Sequence, residues 1–234
     1  MNTITYDVVL EVAAHEAIIR RAYKDSVGIW TWSAGITSMS GHKVERYIGN
    51  PQTMERCLEV YVWLLEKYAK DVGKAFKNRK LPKHVFAGAL SFHWNTGKIA
   101  SASWVDAYLR GDKRDAERRL KLWNKAGGKV SKGLVSRRKK EADLIFRGRW
   151  SNDGKVLEIT RLEANSTPDW SSGRRVDIRE SVERLLGETR VTPTPPAEPT
   201  PGPTSPEPVP SWKDRLVLAA IAALVAFLKR VFLK

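Results

Sequence analysis

Nine of the chain's twelve prolines fall between Pro193 and Pro210, and neither a helix nor a sheet can be built through that density of them. Each proline removes a backbone donor and fixes φ, while the intervening Thr, Glu, Ser and Gly bring almost no apolar surface to bury. Residues 191–211 are therefore expected to form an extended tether, about 60 Å long at ~3.1 Å per residue. Whatever folds must do so on one side of it or the other. Beyond it, Leu216 to Leu228 reads LVLAAIAALVAFL, without one polar side chain, between Lys213 and Arg215 on one flank and Lys229, Arg230 and Lys234 on the other. As a helix this run is about 20 Å long, or about 27 Å through Leu233 with the cations snorkelling, against a hydrocarbon core of ~30 Å. Residues 212–234 are expected to be a membrane-associating tail. Three readings stay open: a tail anchor, an interfacial or membrane-disturbing helix, or a helix that packs on a partner protein. Cations on both flanks give no orientation.

Before the tether, charge divides the chain again. Residues 1–150 carry 29 Lys and Arg against 15 Asp and Glu, whereas residues 151–234 carry 12 against 11. The formal charge of +15 thus belongs almost wholly to the first part, which favours a polyanionic partner. About 150 residues with this apolar content suffice for one domain. The single Cys57 excludes a disulfide framework and a thiolate metal site. Asp7 and Glu11 interrupt the apolar pattern of the first residues, so no N-terminal leader is expected.

Within residues 1–150 the periodicity is mostly helical. Apolar residues recur at helical spacing from Asp7 to Arg21, and Thr53 to Ala75 is a long amphipathic pattern. Shorter patterns follow over Val85–Trp94, Ser101–Leu109, Lys113–Trp123 and Gly133–Phe146. Gly28 to Gly41, rich in Trp, Thr, Ser and Gly, reads as short strands and turns. The class expected is α+β, mostly α, with a small antiparallel sheet near the N-terminus and a helical C-terminal lobe. Residues 151–190 are near neutral and broken by Ser, Gly and Asp, with a helix-like stretch over Asp177–Arg190. They read as a loosely attached extension of unassigned role.

Chemistry concentrates in residues 15–37, HEAIIRRAYKDSVGIWTWSAGIT. Glu16 closes an apolar run and is expected late on a helix, shielded by the core. Shielding disfavours the carboxylate and raises a carboxyl pKa, as a general acid near neutral pH requires. Asp25 would face away on one continuous helix, but a turn at Asp25-Ser26-Val27-Gly28 brings it back across a cleft. Two carboxyls held apart, one shielded and one wetter, form the acid and base pair of glycoside hydrolysis. The Thr31 hydroxyl then falls where it can place a water. By composition alone, two solvated surface carboxylates fit these residues as well.

The spelling is more specific. Glu16, Tyr23-Lys24-Asp25, Gly28, Thr31 and Gly35 resemble the signature of the phage-type lysozymes of glycoside hydrolase family 24, in which Glu, eight residues, Asp, five residues and Thr form the triad. A second stretch resembles the same family, in its lambdoid branch: Phe92-His93-Trp94-Asn95-Thr96-Gly97, then Trp123 to Lys129, Gly133-Leu134, Arg137-Arg138 and Glu141. The resemblance covers about residues 8–150. It implies a two-lobed lysozyme-like fold and cleavage of the β-1,4 bond from N-acetylmuramic acid to N-acetylglucosamine in peptidoglycan, without metal or cofactor. It makes Glu16 the general acid, Asp25 the carboxylate opposite, and Thr31 the residue that positions water. After Thr31 the family usually continues Ile-Gly-x-Gly-His-Thr, where this chain has Trp32 to Thr37. That departure touches glycan contacts of the strand turn and leaves the triad intact.

Asn95, Gly35 and Arg138 are the further candidates for substrate contact, with capping or packing a helix the preferred reading of Asn95. One of Arg137 and Arg138 is expected to pair with Glu16 or Asp25. His15 is expected to be solvated at a helix surface, with tuning of Glu16 as the alternative. Trp32 and the set Trp94, Trp104, Trp123 and Trp150 are expected to be core rather than sugar platforms. The function expected is that of an endolysin causing host cell lysis, with peptidoglycan as substrate. Residues 213–234 would associate with the membrane, and a holin-type pore is the alternative release route. The chain would reside in the bacterial cytoplasm or at the inner membrane and act on the periplasmic wall. The competing reading is a cationic protein that disrupts membranes through its tail. No motif supports specific nucleic-acid binding.

Overall fold

The computed structural model describes residues 2–188. The sequence-expected tether and apolar tail lie outside them.

The chain opens with α1 (Tyr6–Ala13), whose residues from Val8 onward are all buried, Glu11 included. This helix ends sooner than the sequence periodicity suggests. Ala17–Lys24 is strand β1, with Ile18, Ile19 and Ala22 buried. Glu16 therefore sits in the short connection between helix and strand, not late on a helix. A run such as Ala-Ile-Ile-Arg-Arg-Ala satisfies either period, and pairing with neighbouring strands decides between them.

Strand β1 turns at Asp25 to Gly28 into β2 (Trp30–Ser33), which is followed by β3 (Ile36–Thr37). Ser33 and Gly35 take left-handed backbone angles, φ 52° and 82°, to make the second turn. The long α2 (Met54–Ala75) is capped by the Thr53 hydroxyl, which accepts from the Arg56 amide at 3.1 Å. Then come α3 (Lys83–Thr96), α4 (Ser103–Leu109) and α5 (Lys113–Lys121), and a hairpin of β4 (Lys125–Ala126) and β5 (Lys129–Val130). Its turn is Gly127-Gly128, both residues at positive φ, as a two-residue hairpin of this hand requires. Helix α6 (Lys132–Arg147) starts on the cap Ser131 and packs along α3. Gly88 makes that packing close: a Cβ there would stand 2.4 Å from Ile145 Cγ1.

The remaining residues correct the reading of a loose extension. Strands β6 (Lys155–Ile159) and β7 (Gly173–Asp177) join the N-terminal sheet in the order β3-β2-β1-β6-β7. Strand β6 runs parallel to β1, placing Leu157 opposite Ala17 and Glu158 opposite Ile18. Helix α7 (Arg179–Glu188) packs on α1 and α2, and Val156, Ile159, Ile178 and Val182 are buried. These residues belong to the same compact unit as everything before them. The fold is α+β and mostly helical, and its five-stranded sheet is mixed rather than wholly antiparallel.

One hydrophobic cluster runs from α1 through the sheet to α2, α3, α4 and α6. Trp32 is fully buried and stacks on Tyr47 with ring centroids 3.9 Å apart, so it is core. Trp104 is fully buried, and Trp94, Trp123 and Trp150 pack against the cluster while partly exposed. Among the described residues no helix is long and apolar enough to cross a membrane.

Candidate active site

The end of α1 fixes the Glu16 backbone. The Glu16 amide donates to the Ala13 carbonyl at 3.0 Å, and the next residue enters the central strand of the sheet. The side chain is 16% exposed, and its Oε1 accepts from Arg137 Nη1 at 2.7 Å. Of Arg137 and Arg138, neighbours on α6, it is thus Arg137 that meets the candidate acid. On the other side stands Gly35, where a Cβ would lie 3.7 Å from Glu16 Oε2. The turn between β2 and β3 therefore brings bare backbone beside the carboxyl. That turn is held to α3 by Trp94, whose Nε1 donates to the Ala34 carbonyl at 3.2 Å.

Arg137 is the centre of a buried charge network. Its Nε donates to Glu141 Oε1 at 3.1 Å, and its Nη2 to the Ser91 carbonyl at 3.1 Å. Glu141 is fully buried and also accepts from Ser91 Oγ at 2.8 Å and from Arg138 Nη2 at 3.0 Å. Two carboxyl groups and two guanidiniums thus meet in one network beneath the site. Burial pushes the Glu16 carboxyl above its ordinary pKa, against the pull of Arg137. Burial acts the same way on Glu141, against both arginines. Burial opposes the charge on Arg137, yet the two carboxylates hold its pKa above the ordinary value.

Asp25 lies at the far end of β1, where the exposed turn of Ser26 to Ile29 begins. Its Oδ1 accepts from the amides of Val27 and Ile29, both at 2.9 Å, an Asx arrangement that shapes the turn. Thr31 is buried on β2, in register with Tyr23, and its hydroxyl donates to the Ile29 carbonyl at 3.1 Å. Burial, and then the charges of Glu16 and Asp25, push the Tyr23 phenol pKa up. Tyr23 thus feels both carboxyls. Glu16, Asp25, Thr31 and Gly35 all belong to one β1-β2-β3 unit.

Arg138 departs from its expected role as a substrate contact. Its side chain is 1% exposed and its Nε lies 2.9 Å from Glu141 Oε2, so it serves the buried network. Asn95 is exposed at the end of α3, and its Oδ1 accepts from Arg138 Nη2 at 2.8 Å. It also lines a groove of about 490 Å³ with Lys98, Leu122, Trp123 and Leu134. His15 is buried rather than solvated, with a side chain 5% exposed. Burial, reinforced by Arg137, Lys140 and Arg138, holds its pKa down at about 3, so it is neutral at physiological pH. Ser91 escaped the sequence reading because a serine in an apolar helix carries no signal of its own. Among the described residues no group of three His, Cys, Asp or Glu is placed to hold a metal ion.

The profile of the phage lysozyme family matches residues 13–141, more than half of the chain. The SAR-endolysin of Enterobacteria phage PA-2 is 28% identical over 128 residues, which span 54% of this chain and 74% of that protein. The solved endolysin from Escherichia coli O157:H7 phage FAHEc1 is similar in fold, with a TM-score of 0.56 at 24% identity over 64% of this chain and 97% of its own. The active form of the phage P1 endolysin Lyz is also similar, with a TM-score of 0.52 at 20% identity over 63% of this chain and 86% of its own.

Proposed function

The chain belongs to the phage lysozyme family, and on that premise we propose that it is a peptidoglycan-hydrolysing endolysin with Glu16 as its general acid. The observation that carries this reading is the asymmetry of the two carboxyls. Glu16 is shielded, its pKa raised by burial, and fixed by Arg137, while Asp25 sits in a polar turn at the other end of the same strand. The bond cleaved is the β-1,4 link from N-acetylmuramic acid to N-acetylglucosamine. Protonated Glu16 delivers its proton to the glycosidic oxygen as the bond to the anomeric carbon breaks. Asp25 stands opposite to favour attack by water, which Thr31 helps to place, and the water's second proton restores the acid. The overall change adds one water across the bond.

Supporting features are the buried charge network that meets Glu16 and the turn at Gly35, which sets bare backbone beside it. The surplus of positive charge on residues 1–150 suits an anionic wall polymer. Glu16→Gln preserves shape and removes the proton donor. It is expected to abolish clearing of purified cell walls while the far-UV spectrum stays unchanged. Retained clearing would remove Glu16 from the role of acid.

The apolar sequence of residues 216–228 favours a second component, action on or delivery through the membrane by residues 213–234, in place of release through a holin-type pore. A chain stopped at Val191 is expected to keep its activity on isolated walls and to lose activity on intact cells. Unchanged activity on both would leave the tail without a part in lysis.

A further inference from the structure

Residues 151–166 lie beyond the stretch that the family profile matches, yet they touch β1 at both ends, at Ala17 next to Glu16 and at Lys24 next to Asp25. Their first hold is on α1. The buried Glu11 carboxylate accepts from the Ser151 amide at 2.9 Å, the Ser151 hydroxyl at 2.7 Å, the Asn152 amide at 3.0 Å and Asn152 Nδ2 at 2.9 Å. Their second hold is on β1, through the parallel pairing of Leu157 and Glu158 with Ala17 and Ile18. Buried Glu158 strengthens it, lying 2.9 Å from Arg20 Nε and 2.7 Å from Arg174 Nε. The third hold is at the far end, where the Lys24 amide donates to the Ser166 carbonyl at 2.9 Å, one residue before Asp25.

The placement is specific to the candidate acid. Glu11 is five residues before Glu16 and Ile18 is two after, so the first two holds bracket the connection from which Glu16 projects. Four donors converge on one buried carboxylate, and each is a charge-assisted bond that loosens only if the carboxylate is left unpaired. We infer that residues 151–166 form a clasp that fixes the helix-to-strand connection carrying Glu16, and that Glu11 is the positioning residue through which the clasp acts. The inference rests on the reading of Glu16 as the acid.

The test uses the full-length chain, with kcat and KM measured against pH on soluble peptidoglycan fragments. Glu11→Ala removes the acceptor, and Glu11→Gln keeps its volume and one acceptor oxygen. Val105→Ala, which trims a buried side chain on α4, is the control for stability alone. Displacement of a reacting group costs on the order of tenfold to a hundredfold in rate. The clasp predicts a kcat loss of that size for Glu11→Ala at nearly unchanged KM, with partial recovery in Glu11→Gln. It also predicts that the alkaline limb of the kcat profile moves to lower pH, because water reaching Glu16 removes the burial that raises its pKa. Val105→Ala should lower Tm without moving the limb.

If Glu11→Ala fails to fold, Glu11→Gln carries the same test of the limb. Glu11 variants that lower Tm like Val105→Ala but leave kcat and the limb in place would overturn the clasp. An active Glu16→Gln chain would instead overturn the reading of the acid and the inference with it, so the two failures are distinguishable.

Discussion

Replacing Arg137 by Gln should destabilise the fold more at alkaline than at acid pH. Arg137 lies 2.7 Å from Glu16 and 3.1 Å from Glu141, and all three side chains are largely or wholly withdrawn from solvent. At 2.7 Å and an effective dielectric of about 20, two unit charges attract by about 6 kcal/mol. Desolvation offsets part of that, and removing one partner of a buried pair typically costs ~3–5 kcal/mol because the other charge is left uncompensated. Without the guanidinium, Glu16 and Glu141 rise further in pKa. A carboxyl raised above its unfolded value holds its stability below about pH 4.3 and loses it as pH rises. The expected loss is therefore about 3–5 kcal/mol at pH 8 and clearly less at pH 5. With a urea dependence of about 2 kcal/mol per molar, the unfolding midpoint should fall by roughly 2 M at pH 8. Urea titrations of both chains at the two pH values make the measurement. A loss below about 1 kcal/mol, or an equal loss at both pH values, would refute the argument that Arg137 compensates buried carboxylates.

Two further outcomes follow from particular contacts. Gly88→Ala brings a Cβ to 2.4 Å from Ile145 Cγ1, and overpacking of this kind costs about 1–3 kcal/mol, which exceeds the ~1 kcal/mol that alanine gains in helix propensity. A lowered Tm by calorimetry is expected, and an unchanged or raised one would mean that α3 and α6 are less closely packed. His15, with its pKa held down at about 3 by burial, should make stability fall as pH drops from about 6.5 toward 3, by at most about 5 kcal/mol. Its pKa is depressed, so the stability is present above the unfolded value and lost on acidification. Comparing His15→Asn with the parent chain by urea titration between pH 7 and 4 isolates that contribution, and identical slopes would show that His15 does not stay neutral.

Much of the helical lobe was legible because amphipathic spacing and local caps point the same way. The spacing of Thr53 to Ala75 corresponds to α2, and the glycines at 97 and 127–128 mark where the chain turns. The N-terminal sheet was legible only in part. Ala17 to Lys24 is a strand because it pairs with β2 on one side and with β6 on the other, and the β6 partner lies some 140 residues away. No local period reports such a pairing. The same blindness hid how residues 151–188 dock, although the helix-like stretch over Asp177–Arg190 corresponds to α7; their balanced charge conceals Val156, Ile159, Ile178 and Val182 in the core. At the site, Glu16, Asp25 and Thr31 stood out by their spelling. Their support did not: Arg137 and Arg138 sit within one basic run, and only the packing of α6 on α3 separates the guanidinium that meets Glu16 from the one that pairs with Glu141 behind it.

The proposed reaction hydrolyses one bond, and its products report it directly. Purified peptidoglycan digested with the full-length chain should release fragments that end in a reducing N-acetylmuramic acid and weigh one water more per cut, as read by mass spectrometry before and after borohydride reduction. Fragments that end in reducing N-acetylglucosamine, or that carry no added water, would contradict it.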